Sequence, residues 1–138
     1  MKQKMQEHCR ACGQVFGFLT THASLSGGDR PYPSRADQYL SFMDECSGKD
    51  PSQMERLFRE GWLLGEQQAQ LAWETGDLEI YMSVGRAAGF TTRRTPRHYR
   101  GYTPARDGQD GNMHGMALKS FVLGWRQTCA ADRSRQGV

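Results

Sequence analysis

Five arginines and two tyrosines lie close together in the segment from Arg93 to Arg106, which contains no acidic residue. Guanidinium groups pair with phosphate oxygens, and tyrosine rings stack on unpaired bases. The pattern therefore predicts a surface that binds nucleic acid, RNA in particular. The candidate binding residues are Arg93, Arg94, Arg97, His98, Tyr99, Arg100, Tyr102 and Arg106, together with Arg126 in the helix that follows.

The charge of the chain is unevenly distributed along its length. Residues 44–79 contain nine acids and three bases, a balance of −6, whereas residues 80–138 contain ten bases and three acids, a balance of +7. This asymmetry favours a second half that binds a polyanion. The alternative is a fold in which two faces of opposite charge attract each other.

A Cys-x-x-Cys pair near the start of the chain has the spacing of half a zinc site. Its members are Cys9 and Cys12, and the most plausible further ligands are His22 and Cys46. The same two cysteines also belong to an apolar stripe at helical spacing, formed by Met5, Cys9, Cys12, Phe16 and Leu19. The stripe favours two buried free cysteines in a core and no cofactor over a zinc site or a redox pair.

The motifs that indicate catalysis are missing from the sequence. It has no glycine-rich phosphate loop, no His-Glu-x-x-His helix and no Gly-x-Ser-x-Gly turn. His98 lies among arginines and His114 near the start of the last predicted helix, which favours surface or structural roles for both. We therefore expect a non-catalytic binding protein without a small-molecule substrate.

Two further features of the sequence indicate where in the cell the protein is expected. No run approaches the roughly 20 apolar residues that span a bilayer. The first residues lack the apolar core of a signal peptide. We expect a cytoplasmic protein that does not enter the membrane.

Apolar residues recur at the helical period throughout the chain, and helix-capping residues mark the ends of these stretches. After a first helix that carries the cysteines, the pattern predicts helices at 35–47, 51–75, 78–88 and about 113–131. In the helix at 51–75, apolar spacing predicts that Leu64 and Leu71 face the core and that Trp62 and Trp73 widen the buried face. The prediction is one all-α domain of about five helices over residues 1–138, with a long basic loop at 90–112 before the last helix.

Glycines inside the predicted helices are expected to permit close helix approach, because each otherwise costs about 1 kcal/mol relative to alanine. The candidates are Gly13, Gly17, Gly61, Gly65 and Gly124. Two of them precede a tryptophan, in the segments REGWLLG and VLGWRQT. This similarity suggests an internal repeat in which both tryptophans dock into one core.

Three short motifs resemble the ribosome modulation factor family: Arg100-Gly101-Tyr102, Leu123-Gly124-Trp125-Arg126 and Ala131-Asp132-Arg133, with a spacer that contains Gly108. Members of that family are small, basic, two-helix bacterial proteins. The resemblance implies binding to ribosomal RNA or to a similar polyanionic surface, without catalysis. The family's Cys-Pro-Tyr loop motif has no counterpart here, and Glu60-Gly61-Trp62 with Gly65 offers a second match to the family's first helix.

A protein partner is the alternative to a nucleic acid. A small helical protein with an acidic central helix can act as an interaction module or inhibitor, as accessory proteins of phages and mobile elements do. Trp62, Trp73 and the surrounding acids would then form the contact, since tryptophan is enriched among the residues that dominate interface energies.

Overall fold

The computed structural model describes residues 3–27, 51–92 and 113–136, and these residues form four α-helices. The helices are α1 (Gln3–Leu25), α2 (Pro51–Thr75), α3 (Leu78–Thr92) and α4 (Gly115–Gln136). The described ranges contain no strand, which confirms the all-α class for this part of the chain. The helix predicted at 35–47 lies outside these ranges, so the count of about five helices stays a prediction.

Local sequence explains where α2 begins, where it ends and where α3 begins. α2 begins at Pro51, whose fixed φ suits the first turn of a helix. Gly76 ends it with a left-handed φ of 69°, and its N–H donates a hydrogen bond to the Ala72 carbonyl at 2.8 Å. Asp77 then caps α3, because its Oδ1 accepts a hydrogen bond from the N–H of Glu79 at 3.0 Å. These predicted helix ends are confirmed.

The predicted C-terminal ends of two helices are wrong. α3 continues through Gly89 to Thr92 instead of closing at 88, and α4 continues to Gln136 instead of ending at about 131. Gly89 lies inside the helix because it packs against α4, where a Cβ would come within 2.9 Å of the Cβ of Thr128. The predicted loop at 90–112 therefore loses its first three residues to α3.

Glycines bring α1 and α2 together at backbone contact distance. A Cβ on Gly13 would overlap the carbonyl oxygen of Phe58, and one on Gly17 would lie 2.9 Å from the Cα of Trp62. Gly61 and Gly65 of α2 face the backbone of α1 in the same way. Because the contacts advance in the same direction along both helices, α1 and α2 are parallel. The predicted role of these glycines in close helix packing is confirmed.

The helices α3 and α4 cross in the same manner. A Cβ on Gly85 would overlap the carbonyl oxygen of Phe121, and one on Gly89 would lie 2.6 Å from the carbonyl oxygen of Trp125. In α4, a Cβ on Gly124 would overlap the Met82 carbonyl oxygen. These two helices are therefore also parallel. Residues 26–50 connect the first pair, and residues 93–114 connect the second.

The two helix pairs are copies of one arrangement. The first helix of each pair contains Gly-x-x-x-Gly-Phe, at 13–18 and at 85–90. The second helix of each pair contains Phe-x-x-Gly-Trp, at 58–62 and at 121–125. In both pairs the first glycine meets the phenylalanine of the partner helix and the second glycine meets the tryptophan. The internal repeat suggested by the Gly-Trp segments therefore includes a motif in each helix of both pairs.

The tryptophans of the repeat lie in different clusters, which corrects the prediction of one shared core. Trp62 packs with the two cysteines of α1 and with Met54, Leu57 and Phe58 of α2. Trp125 packs instead against a second cluster, which includes residues of all four helices. Each tryptophan lies at the glycine contact between the two helices of its own pair.

The helices α1 and α3 join the two pairs and run antiparallel to each other. The ring of Phe18 meets the ring of Tyr81 edge-on at 5.7 Å, whereas His8, earlier in α1, lies 6.5 Å from Phe90, later in α3. Phe18 and Tyr81 are buried in the cluster that the four helices share. The two parallel pairs thus point in opposite directions.

The buried face of α2 is narrower than the sequence predicts. Trp62 is buried, but Leu64, Leu71 and Trp73 are exposed. The glycines draw α1 so close that a single helix covers only the side of α2 that carries Gly61 and Gly65. Apolar residues next to that side therefore remain at the surface.

Candidate nucleic-acid interface

The arginine and tyrosine segment starts where α3 ends. Thr92 is the last residue of α3 and Gly115 the first of α4, so residues 93–114 connect two parallel helices. The candidates from Arg93 to Arg106 lie outside the described residues, and their contacts stay predictions. Arg126 is the candidate that the structure does describe, and it is exposed on α4.

The charged side chains in the first part of α4, before Asp132, are basic. Lys119 and Arg126 are exposed, and His114 is exposed directly before the helix. The stretch from Gly115 to Thr128 contains no acid. A polyanion that binds the preceding arginine segment would therefore meet no repulsive carboxylate in this part of α4.

Arg86 of α3 has a structural role beside this surface. Its Nε donates a hydrogen bond to the Gln127 side chain at 3.2 Å, and its Nη1 lies 3.4 Å from a carboxylate oxygen of Glu79. The Thr128 hydroxyl in turn donates to the Arg86 carbonyl at 3.0 Å. These bonds connect α3 to α4, and the neighbouring carboxylate offsets part of the Arg86 charge.

Among the described side chains, no acid of α2 forms an ion pair with a base of α3 or α4. In the described part of the chain, Glu60 pairs with Arg10 of α1 at 3.3 Å, and Glu55 pairs with Arg59 one turn along α2. Both ion pairs are exposed, so each contributes little to stability. Each described ion pair thus joins residues of the same helix pair, and attraction between two oppositely charged faces stays a hypothesis.

The cysteines of α1 are part of the core. Cys9 and Cys12 are buried and pack against apolar residues of α2. The sulfur of Cys12 also lies 3.7 Å from Nε2 of His8, which is buried on the same face. The predicted buried stripe is confirmed for both cysteines and Leu19, whereas Phe16 is only partly buried.

The structure does not bring the suggested zinc ligands together. His22 and Cys12 are ten residues apart on one continuous helix, a separation of about 15 Å along its axis. A single zinc ion cannot bridge that distance, because its ligand bonds are only about 2.0–2.3 Å long. Cys46 lies outside the described residues. Among the residues that are described, no three potential metal ligands form a group.

His22 instead belongs to an aromatic cluster that sequence reasoning missed. Its Nε2 lies 2.9 Å from the hydroxyl of Tyr81, and both side chains are buried. Its ring stacks on Phe18 at 5.6 Å and meets Trp73 edge-on at 5.7 Å. Burial raises the pKa of Tyr81 above its ordinary value of 10.0. Phe18 and His22 are four residues apart in α1, but Trp73 and Tyr81 lie more than 50 residues later, so no local spacing indicates the cluster.

Comparisons with protein-family models, curated proteins and solved structures found no match to this chain. None of the four described helices is long and apolar enough to cross a membrane.

Proposed function

We propose that the protein binds RNA without catalysing a reaction, and that residues 93–106 form the main contact. The observation that carries the proposal is a run of five arginines without an acid, followed by a helix whose first part, from Gly115 to Thr128, carries bases and no acid. Phosphate contacts supply affinity through counterion release, and the tyrosines add stacking on unpaired bases. Arg126 and Lys119 extend the surface along α4.

Ribosomal RNA is the target that the resemblance to ribosome modulation factor suggests. Within the motif Leu123-Gly124-Trp125-Arg126, the structure gives Gly124 a packing role against α3, and Trp125 packs against the core. Arg126 is the exposed charged member of the motif. We therefore expect the glycine and the tryptophan to maintain the helix pair, while the arginine contacts phosphate.

The test compares two triple variants with the same change in net charge. Replacing Arg93, Arg94 and Arg97 with alanine should remove most binding to single-stranded RNA. The matched control replaces Arg10, Arg56 and Arg59, which are exposed on the other helix pair, and should leave binding nearly unchanged. Equal losses in both variants would show that only net charge matters and would refute a site at 93–106.

Salt dependence gives a second measure of the same proposal. Five phosphate contacts on single-stranded RNA predict a slope of log K against log salt of about −3.5. The slope should become shallower in the Arg93, Arg94 and Arg97 variant and stay constant in the control. A parent protein that does not bind RNA at physiological salt would contradict the proposal.

A protein-interaction module remains the second candidate, because α2 exposes apolar side chains beside acids. Leu63, Leu64, Leu71 and Trp73 are exposed on this helix, whereas Trp62 is buried and drops out of the contact suggested from sequence. Under this candidate, partner binding depends on the exposed leucines and shows little dependence on Arg93 to Arg106. Purification of the protein with whatever RNA or protein accompanies it separates the two candidates.

A further inference from the structure

An apolar stripe with acidic ends runs along the exposed side of α2. Leu64 and Leu71 lie seven residues apart, and 47% and 51% of their surfaces are exposed. Gln67 lies between them, and Glu60 and Glu74 lie at the two ends of the stripe. Their spacing of three or four residues places these five side chains on one side of the helix. That side faces away from the glycines that contact α1.

A stripe of the opposite charge runs along the exposed side of α4. Met116 and Leu123 also lie seven residues apart, with 60% and 46% of their surfaces exposed. Lys119 lies between them and Arg126 follows Leu123, and both cations are exposed. Gly124, on the other side of the helix, faces α3. We name these surfaces the α2 stripe and the α4 stripe.

The two stripes match in spacing and in charge. In each of them the two apolar side chains are about 10.5 Å apart along the helix axis. If the helices pack antiparallel, Leu123 meets Leu64 and Met116 meets Leu71. Arg126 then comes to the end of the α2 stripe that carries Glu60, whose exposed carboxylate also pairs with Arg10. If they pack parallel, Arg126 comes to Glu74 instead. Either direction covers the apolar pairs and brings a cation to a carboxylate.

The α2 and α4 stripes of one molecule do not meet. In the described structure α2 packs mainly on α1 and α4 packs on α3, and α2 and α4 are not neighbours. An α4 stripe that packs on the α2 stripe must therefore come from another molecule. Every second copy of the same chain carries such an α4 stripe.

We propose that the protein self-associates by packing the α2 stripe of one copy against the α4 stripe of another. Two copies related by a twofold axis can form this contact twice and close into a dimer. A single contact repeated from copy to copy would instead extend into a chain of molecules. The proposal does not depend on RNA binding, but RNA and a second copy would compete for Lys119 and Arg126. The test therefore uses protein freed of nucleic acid.

Charge reversal tests the pairing directly. One variant carries Lys119→Glu and Arg126→Glu, and the other carries Glu60→Lys and Glu74→Lys. Each variant alone should self-associate about tenfold more weakly than the parent or worse, because like charges then face each other across the contact. An equimolar mixture should recover association, since the acidic α4 stripe of one variant then meets the basic α2 stripe of the other.

Sedimentation equilibrium at low salt measures the association, and circular dichroism with thermal melting confirms that each variant is folded. The control Glu7→Lys with Glu66→Lys changes net charge as much as the α2 variant does, outside both stripes, and should associate like the parent. Leu64→Gln with Leu71→Gln provides a second variant without a charge change and should weaken association as well. A monomeric parent at every concentration, or a mixture that fails to associate, would overturn the proposal and indicate that a different partner or another part of the chain covers α2.

Discussion

His22 of α1 and Tyr81 of α3 are joined by a buried hydrogen bond of 2.9 Å that links the two helix pairs. Their rings lie 5.4 Å apart at nearly a right angle. Each side chain also contacts Phe18, so the polar bond lies beside apolar rings. Removing one partner of such a bond lowers the stability of the fold, because the other partner stays buried without this hydrogen bond.

Tyr81→Phe removes the hydroxyl and keeps the ring. We expect the free energy of unfolding to fall by about 1–3 kcal/mol, because the imidazole of His22 loses its buried partner. Urea denaturation followed by circular dichroism measures the change. A parallel Tyr102→Phe variant controls for removal of a hydroxyl elsewhere in the chain, and an equal loss in both would contradict this role of the bond.

The pH dependence of stability near the ordinary pKa of tyrosine follows from the burial of Tyr81. Because burial raises its pKa above 10.0, the folded state holds the proton more tightly than the unfolded state does. The stabilisation is fully present below about pH 10 and is lost as the pH rises from there through the folded-state pKa. The decline in unfolding free energy between pH 9 and 11 should be smaller in Tyr81→Phe, and equal declines would refute this assignment.

Gly85→Ala tests the glycine crossing of α3 and α4. Alanine normally stabilises a helix by about 1 kcal/mol relative to glycine. Here the added Cβ would overlap the Phe121 carbonyl oxygen and lie 3.1 Å from the Phe121 Cα. We therefore expect destabilisation by about 1–3 kcal/mol, measured by denaturant unfolding.

Gly13→Ala should have an effect of the same sign, because Gly13 occupies the equivalent position in the first helix pair. Ser24→Ala on the exposed side of α1 serves as the control and should change stability by no more than about 0.5 kcal/mol. A stabilising effect at either glycine would show that the helices are not in backbone contact there.

The two tryptophans of α2 should differ sharply in their contribution to stability. Trp62 is 5% exposed, so Trp62→Ala should cost about 3–5 kcal/mol. Trp73 is 50% exposed, so Trp73→Ala should cost much less and should affect mainly the packing on His22. Thermal melting of both variants provides the comparison, and similar losses would contradict the described orientation of α2.

Because Cys9 and Cys12 are buried, we expect their thiols to react slowly in the folded protein and the protein to bind little metal. In a Cys46→Ser and Cys129→Ser background, Cys9 and Cys12 should react slowly with a thiol reagent in the folded protein and rapidly once it is unfolded. Protein purified without a chelator should contain less than about half an equivalent of zinc. Stoichiometric zinc that disappears in Cys9→Ser would contradict this prediction.

The sequence by itself determined the features that arise within one helix or one turn. Pro51, Gly76 and Asp77 marked helix ends correctly, because capping and φ preferences act on neighbouring residues. The apolar period likewise identified Cys9 and Cys12 as core residues, since periodicity reports which side of a helix is apolar.

Tertiary structure alone decided what packs on each of those sides. The same apolar period placed Trp62 and Leu71 on one buried face, but the close approach of α1 covers only Trp62. A glycine such as Gly89 often ends a helix, but α3 continues through it to Thr92. There the absence of a side chain allows α4 to pack closely against α3. His22 finds Tyr81 across a chain separation of 59 residues, and only the crossing of two helix pairs brings them together.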